Sequence, residues 1–342
     1  LENQISCQSG AYGMVLMGWL YFIVVVTTCI YIVAIKEGFY WVVRRWMSPS
    51  APPVTKSGMF QRLERRIRQA CVMLAILGLF VAFYAWKIEP YWPQVETVRI
   101  ASAKLPPGMR PIRIVQISDT HCDPEARLEQ RLPEIIAGLR PDVIAFTGDT
   151  VNHDEGLSHF RRLMSELSRI APTFAVKGNW DVRWFDHLDH FNGTGIRVLD
   201  GDVATVQVGT VEIDFRGVAV DSPRKLFSQP PADGPARLCV VLHHFPEVAH
   251  GAILQGADLA LSGDTHGGQI RLPFVGALAR ISRFGVCHEI GLHHVENGYL
   301  YVNRGVGMEG GHAPRMRFLC RPEVALIEIV PATGAAGRDE RP

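Results

Sequence analysis

Little in this chain points to nucleic acid, to a disulfide scaffold or to a thiolate metal site. Its 342 residues carry a formal net charge of only +1. With no excess of one sign there is no general means of holding a polyanion, and nucleic acid is not expected as a partner. The seven cysteines are scattered and form no CxxC pair, so zinc-ribbon spacing is missing and no disulfide pattern is fixed. No internal repeat is visible, which argues against solenoids and propellers. The first residue is Leu rather than Met, and further segments upstream of it are expected.

What the chain does have is an excess of apolar residues, 47% overall, concentrated at one end. Met14 to Ile35 is an almost unbroken apolar run, about 33 Å long as a helix and enough to cross a bilayer. Ala70 to Trp86 is a second run, about 25 Å long and near the lower limit for a span. The first run is too long and too uncharged for a core helix, and it lacks the basic start and small-residue end of a signal peptide. Between the runs stand Lys36, Arg44, Arg45, Lys56, Arg62, Arg65, Arg66 and Arg68 against Glu37 and Glu64. Such a basic loop is expected in the cytoplasm. The chain beyond Trp86 then lies on the non-cytoplasmic side of the cell (inner) membrane, in a multi-pass protein. Phe39, Tyr40, Trp41 and Trp46 read as an interfacial belt, with Tyr91 and Trp92 at the opposite interface. The lipid bilayer is accordingly an expected partner.

Beyond Pro107 short β-rich runs alternate with helical stretches. Ile112–Ile117, Asp142–Phe146, Thr173–Val176, Leu238–Leu242, Leu259–Leu261, Tyr299–Val302 and Val324–Val330 predict strands. Leu128–Leu139 and Leu157–Ile170 predict helices, and Val203–Val208 with Val211–Phe215 predict a hairpin turning at Gly209-Thr210. The pattern is that of a layered α/β sandwich. His293-His294 reads as an exposed loop pair, His187 and His190 as decoration of a helix, and Cys122 as a small filler. The tail from 331 to 342 is small, polar and charged, and is expected to be disordered.

Five of these apolar runs each end in a side chain suited to metal. They lead into Asp119-Thr120-His121, Gly148-Asp149, Gly178-Asn179, His243-His244 and Gly263-Asp264-Thr265-His266. In open α/β sheets the functional crevice lies at the carboxyl ends of the strands. Carboxylate, imidazole and amide oxygen suit Mn²⁺, Fe or Zn²⁺ rather than a structural cysteine site. Two such ions can clamp the attacking and leaving oxygens of an in-line displacement at phosphorus. A lone Asp or His at a strand end is usually a cap or a solvated residue. The order and spacing of the whole set are what carry the functional reading.

That order, DxH, GD, GN, H and then G-x-T-H-G-G-Q, resembles the calcineurin-like metallophosphoesterase family over roughly Pro111 to Val330. Gly276-Ala277-Leu278, Ser282-Arg283-Phe284-Gly285, Asn303-Arg304-Gly305-Val306-Gly307 and Arg317 to Glu323 resemble its membrane-associated phosphodiesterase branch. Some members of that branch are similar to UDP-2,3-diacylglucosamine hydrolases of lipid A synthesis. The resemblance implies a four-layer αββα sandwich over 93–330. The membrane anchor, 1–92, would precede it as a transmembrane helical hairpin (14–35 and 70–86).

By position the resemblance implies that Asp119, His121 and His266 hold one divalent ion, that Asn179 and His244 hold a second, and that Asp149 bridges them. His244 is preferred to His243 because His244-Phe245-Pro246 matches the family's His-x-Pro. Asp264 stands where the family has His; as a hard ligand it favours Mn²⁺ or Fe over a softer ion. Trp180 stands where the family has a His that stabilises charge or protonates the leaving group. Indole cannot transfer a proton at physiological pH, so that role is vacant or filled elsewhere, with His153, His243 and His312 as substitutes. Asp149, His243 and Asp181 are the candidate catalytic residues. Trp180, Gly267, Gly268, Arg304 and Arg317 are the candidate substrate contacts, the two arginines reading equally well as ordinary surface charges.

The expected activity is hydrolysis of a phosphodiester or pyrophosphate in a phosphorylated lipid or a nucleotide-type small molecule. A UDP-diacylglucosamine-like substrate is the most specific version, but such a nucleotide lipid is cytoplasmic, whereas the basic loop predicts an outer-facing domain. A nucleotide phosphodiesterase is the nearest enzymatic alternative. A non-catalytic membrane receptor or scaffold, motivated by Trp180 and Asp264, is the alternative of another class.

Overall fold

The computed structural model describes residues 58–221, 237–278, 289–310 and 315–332, with scattered helical positions between 27 and 46. Most of the first apolar run, Ser48–Pro53, the Ser282–Gly285 motif, His312 and residues 333–342 lie outside the described residues. The chain divides into two units, Leu1–Trp86 and Lys87–Pro342, and each is taken by itself.

The first unit contains α1, Gly58–Lys87, 30 residues long. It is longer than the 70–86 span expected, because the basic turn from Arg62 to Arg68 continues into the apolar run without a breaker. Met73, Leu77, Phe80 and Phe83 are all exposed on it, a pattern that suits an apolar solvent rather than water. Within Arg62–Tyr91 an 18-residue window has a mean hydropathy of 2.1, and this is the one helix long and apolar enough to cross a membrane among the described residues. The sequence predicts two.

The second unit is a mixed α/β sandwich. Its strands are β1 Gln94–Ser102, β2 Ile112–Ile117, β3 Val143–Phe146, β4 Thr173–Ala175, β5 Arg197–Val198, β6 Val203–Val208 and β7 Val211–Gly217. They continue with β8 Arg237–Leu242, β9 Leu259–Ser262, β10 Arg271–Leu272, β11 Gly276–Ala277, β12 Gly291–Val295, β13 Gly298–Val302 and β14 Glu323–Pro331. The helices are α2 Leu132–Leu139, α3 Leu157–Ile170, α4 Asn179–Arg183 and α5 Pro246–Leu254. One six-stranded sheet runs β1-β14-β2-β3-β4-β5 and the other β12-β13-β9-β8-β7-β6. Within them β2-β3-β4 and β7-β8-β9 are parallel.

Alternation with period two assigns each strand residue to a face. Ile112, Ile114, Val143 and Ala145 meet Leu238, Val240, Leu242, Leu259 and Leu261 in one core between the sheets. Their alternates Val115, Ile117, Ile144 and Phe146 pack against Leu132, Ile136, Phe160 and Leu163 of α2 and α3. Cys239, Val241 and Ala260 pack against Ala249, Ala252 and Ile253 of α5. Helices therefore cover both outer faces. Strands buried on both sides are apolar throughout, which is why β2, β3, β8 and β9 stand out in the sequence.

Several elements differ from the sequence expectation, among them β1, β12 and α2. β1 is an edge strand with alternating exposure, and its Glu and Arg residues disguise it as linker. His293-His294 lies within β12, where His294 pairs with Tyr299 of β13, rather than on a loop. The helix expected from Leu128 begins only at Leu132, with Pro133 in its first turn, where a missing N–H costs nothing.

Candidate metal centre

The carboxyl ends of β2, β3 and β4 from one sheet and of β8 and β9 from the other deliver Asp119/His121, Asp149, Asn179, His244 and Asp264/His266 to one place. Two groups have donor atoms within 4.8 Å of one another: Asp119, His121 and His266, and Asp119, Asp149 and His244. His121 Nε2 faces His266 Nε2 at 3.2 Å. Asp149 Oδ2 lies 3.5 Å from His121 Nε2 and 3.3 Å from His244 Nε2. His244 Nε2 is also 2.9 Å from Asn179 Oδ1 and 3.5 Å from Asp264 Oδ1, and His266 Nε2 is 3.4 Å from Asp119 Oδ1. Donors sharing a small divalent ion stand about 3–3.5 Å apart. The set therefore has the spacing of ligands around two cations.

The backbone is bent to achieve this. Asp119, His121, Asp149, Asp264 and His266 all have positive φ, between 39° and 68°, a region that costs an L-residue energy and clusters at functional sites. Gly178 has no Cβ for a simple reason: one there would collide with the Asp149 carboxylate and backbone nitrogen.

Burial dominates the electrostatics. It pushes the Asp119 carboxyl up to about 8, with Asp149 and Asp264 adding to the rise, and it raises Asp149 as well. It pushes His121 down to about 3 and holds His266 well below its usual range. At His244 burial opposes the charge, but Asp149, Asp264 and Asp119 outweigh it and raise the imidazole. Asp119 Oδ2 is buried without a hydrogen-bond partner. The ion-pair partners of these three carboxylates are histidines. Divalent cations would satisfy such a cluster, and the donor set fits them.

The remaining sequence candidates fall into different places. Asp181 is buried, and its carboxylate accepts from Asp149 N at 3.0 Å, Thr150 N at 2.9 Å, Thr150 Oγ1 at 2.7 Å and Gly178 N at 2.8 Å. It ties the Gly148-Asp149 loop to the Gly178-Asn179 loop and positions the site; it does not stand among the donors. His190 is buried beside it, with Nδ1 2.6 Å from Thr150 Oγ1, and is no surface decoration. His243 Nδ1 accepts from Phe245 N at 2.9 Å, and burial pushes it down to about 3. A neutral imidazole spent on a turn is a poor proton donor. His244 Nδ1 lies 2.7 Å from the Thr147 carbonyl, which fixes the tautomer and leaves Nε2 as a ligand atom.

Arg317 is fully buried and donates to the carbonyls of Gly307, Cys320, Arg304 and Gly305. Its donors hold a loop and none remains for a phosphate. Arg304 pairs with Glu323. Gly267, in the turn His266–Gly268, has φ 58°, and a Cβ there would meet Cys320 and Ile290; packing already demands this glycine. Its neighbour Gly268 also has positive φ, 78°. Trp180 packs edge-on against His121 with ring centroids 5.0 Å apart, and its backbone N–H donates to Asp149 Oδ1 at 2.9 Å. His153 is exposed.

Glu309 was not singled out by the sequence. Burial, with the charges of Asp149 and Asp264, pushes its carboxyl up to about 7. A single acid in the glycine-rich Gly307-Met308-Glu309-Gly310-Gly311 is the only sequence signal that would have found it.

Residues 112–268 match the model of the family described as calcineurin-like phosphoesterase. The chain is 31% identical over 259 residues to the phosphodiesterase YaeI of Escherichia coli, covering 72% of this chain and 92% of that protein. It is 28% identical over 269 residues to YkuE of Bacillus subtilis, an uncharacterised metallophosphoesterase, covering 72% and 88%. Similarity to the UDP-2,3-diacylglucosamine pyrophosphatase LpxG of Chlamydia trachomatis is 25% over 329 residues, covering 75% and 96%.

Proposed function

Because this chain belongs to the calcineurin-like phosphoesterase family and is a metallophosphoesterase, we propose that it hydrolyses a phosphodiester or pyrophosphate bond in a membrane-lipid-linked substrate. Asp119, His121 and His266 would hold one divalent ion, Asn179, His244 and Asp264 the other, with Asp149 between them. Mn²⁺ is favoured by the hard Asp264 ligand. The observation that carries the reading is the convergence of five strand ends on facing Nε2 and carboxylate atoms. The apolar window within Arg62–Tyr91 supports a membrane location. The basic residues before it support a catalytic unit outside the cytoplasm. The relative named for UDP-2,3-diacylglucosamine supports a lipid-linked substrate.

The bound ions would supply Lewis acidity and neutralise charge on the phosphoryl oxygens. The chain's own residues do the rest. Asp181 fixes the loops that carry Asp149 and Asn179. The Thr147 carbonyl orients His244. Trp180 walls off His121. Glu309 is the proton store for the leaving oxygen, in the role that Trp180 cannot fill.

Two measurements test this. Elemental analysis of the purified chain after Mn²⁺ loading should find two ions per chain; one or none would count against the centre and favour a scaffold. Glu309→Gln should slow alkyl phosphodiesters by roughly 10²–10⁴-fold while sparing aryl esters, whose leaving groups need little protonation. The sign with pH follows. The useful form of Glu309 is protonated, so the rate on alkyl esters should fall as pH rises through its pKa. That pKa is about 7 for the side chains alone, and cations on Asp149 and Asp264 would draw it lower. A pH profile unchanged by Glu309→Gln would remove Glu309 from this role.

A further inference from the structure

Six of the large apolar side chains exposed on the second unit belong to three segments that are tied together. They are Ile88, Tyr91 and Trp92, then Leu319, then Phe274 and Val275. The Glu89 carboxylate accepts from Leu319 N at 2.9 Å and Cys320 N at 2.5 Å. Arg321 Nε donates to the Trp92 carbonyl at 2.9 Å, and its guanidinium lies 4.2 Å from the centre of the Trp92 ring. Phe318 is bridged to Ile270, and Arg271 N donates to the Phe318 carbonyl at 2.8 Å. From there β10 and β11 form a two-residue ladder whose tip carries Phe274 and Val275. Trp92 is 53% exposed, Leu319 50%, and Phe274 exceeds the reference exposure of a free side chain.

This patch borders the metal centre. The β10–β11 hairpin follows directly on the turn His266–Gly268, and Cys320 Sγ lies 3.2 Å from the His266 carbonyl. Two adjacent apolar side chains at one hairpin tip, contiguous with Leu319 and Trp92, form a patch whose burial would be favourable. What covers it is indicated by the chain itself. The exposed segment starts at Ile88, the residue after α1, and the membrane-length apolar stretch ends at Tyr91. Tyr and Trp beside an Arg, at the end of such a stretch, are the side chains that settle at a bilayer interface.

We propose that Tyr91, Trp92, Leu319 and the Phe274-Val275 hairpin tip form a bilayer-docking face beside the metal centre, through which the enzyme takes a phosphorylated headgroup from the lipid surface. This rests on the phosphoesterase reading above and adds where the substrate enters. The occupant is lipid; a second copy of the chain or a partner protein are the alternatives that the test separates.

The test uses the full chain in proteoliposomes of phosphatidylethanolamine and phosphatidylglycerol. Phe274→Asp and Leu319→Asp together should lower the rate on a lipid-anchored phosphodiester in the same vesicles by roughly tenfold or more. The rate on soluble bis(p-nitrophenyl) phosphate should stay within about twofold, since neither residue touches the centre. Equal losses on both substrates, or none on either, would overturn the proposal. A second readout does not depend on activity. With the photoreactive p-benzoylphenylalanine in place of Phe274, irradiation should give adducts with lipid acyl chains by mass spectrometry. Adducts only with another protein chain would mean that a second copy or a partner covers the face, and absence of any lipid adduct would overturn it. If the wild type hydrolyses neither substrate, the phosphoesterase reading has failed, and the adducts alone decide the docking face.

Discussion

Asp149→Ala should lower phosphodiester hydrolysis by on the order of 10³-fold or more, the scale on which lost stabilisation of transition-state charge is felt. Asp264→Ala should cost on the order of 10–100-fold. The difference follows from position. Asp149 Oδ2 lies between His121 Nε2 at 3.5 Å and His244 Nε2 at 3.3 Å, so one oxygen stands within 3.5 Å of an imidazole of each proposed ion. Its other oxygen accepts from Trp180 N. Asp264 reaches His244 only, at 3.5 Å, and is partly exposed. Removing it leaves a gap that water can fill as a ligand. Asp149→Ala should also reduce the ions bound per chain from two to one or none. Because Asp149 has φ 59°, where Ala is strained and Asn is tolerated, Asp149→Asn is the control for folding. The two substitutions should lose activity alike, with the Asn variant keeping the wild-type melting temperature more closely. Equal residual rates for Asp149→Ala and Asp264→Ala would reject the bridging role.

Asp181→Ala should destabilise the fold by roughly 3 kcal/mol or more, a large share of an ordinary domain's stability. Three backbone N–H groups, of Asp149, Thr150 and Gly178, donate to this one carboxylate. Asp181 is 1% exposed. Each buried donor left without a partner costs about 1–3 kcal/mol, less where water enters. The same substitution frees two loops that must meet within a few tenths of an ångström, so cation affinity should fall by on the order of 10–100-fold. Thermal unfolding and Mn²⁺ titration, run side by side, check the two effects. A catalytic role for Asp181 would show instead as lost activity with unchanged melting temperature and unchanged cation affinity. That result would restore the sequence reading and reject the brace.

The metal-type residues were legible because the chemistry needs them at the ends of strands buried on both faces. Such strands announce themselves as apolar runs, and Asp119, His121, Asp149, Asn179, His244 and His266 follow five of them. The order of those motifs also indicates the family, and the apolar stretch before Tyr91 is visible in composition alone. Boundaries and edge elements were less legible. β1 mixes Glu96 and Arg99 irregularly among its apolar residues, β12 carries two histidines, and α5 is short, so none has a strong period.

What the sequence by itself determined is therefore the family, the side-chain types that stand at the strand ends and one apolar helix of membrane length. These follow from side-chain type and local run length. Only the tertiary structure decided how the other polar groups are used. Whether a carboxylate is a ligand, a brace or a proton store depends on the groups that face it across the fold. Asp181 is a brace because three amides from two loops point at it. Arg317 is a loop clamp because burial surrounds it with carbonyls. The Glu309 carboxyl is raised by burial, and Asp149 and Asp264, far away in sequence, add to the rise. Hydrogen bonds and charges act through space over a few ångströms, and chain distance carries no record of them.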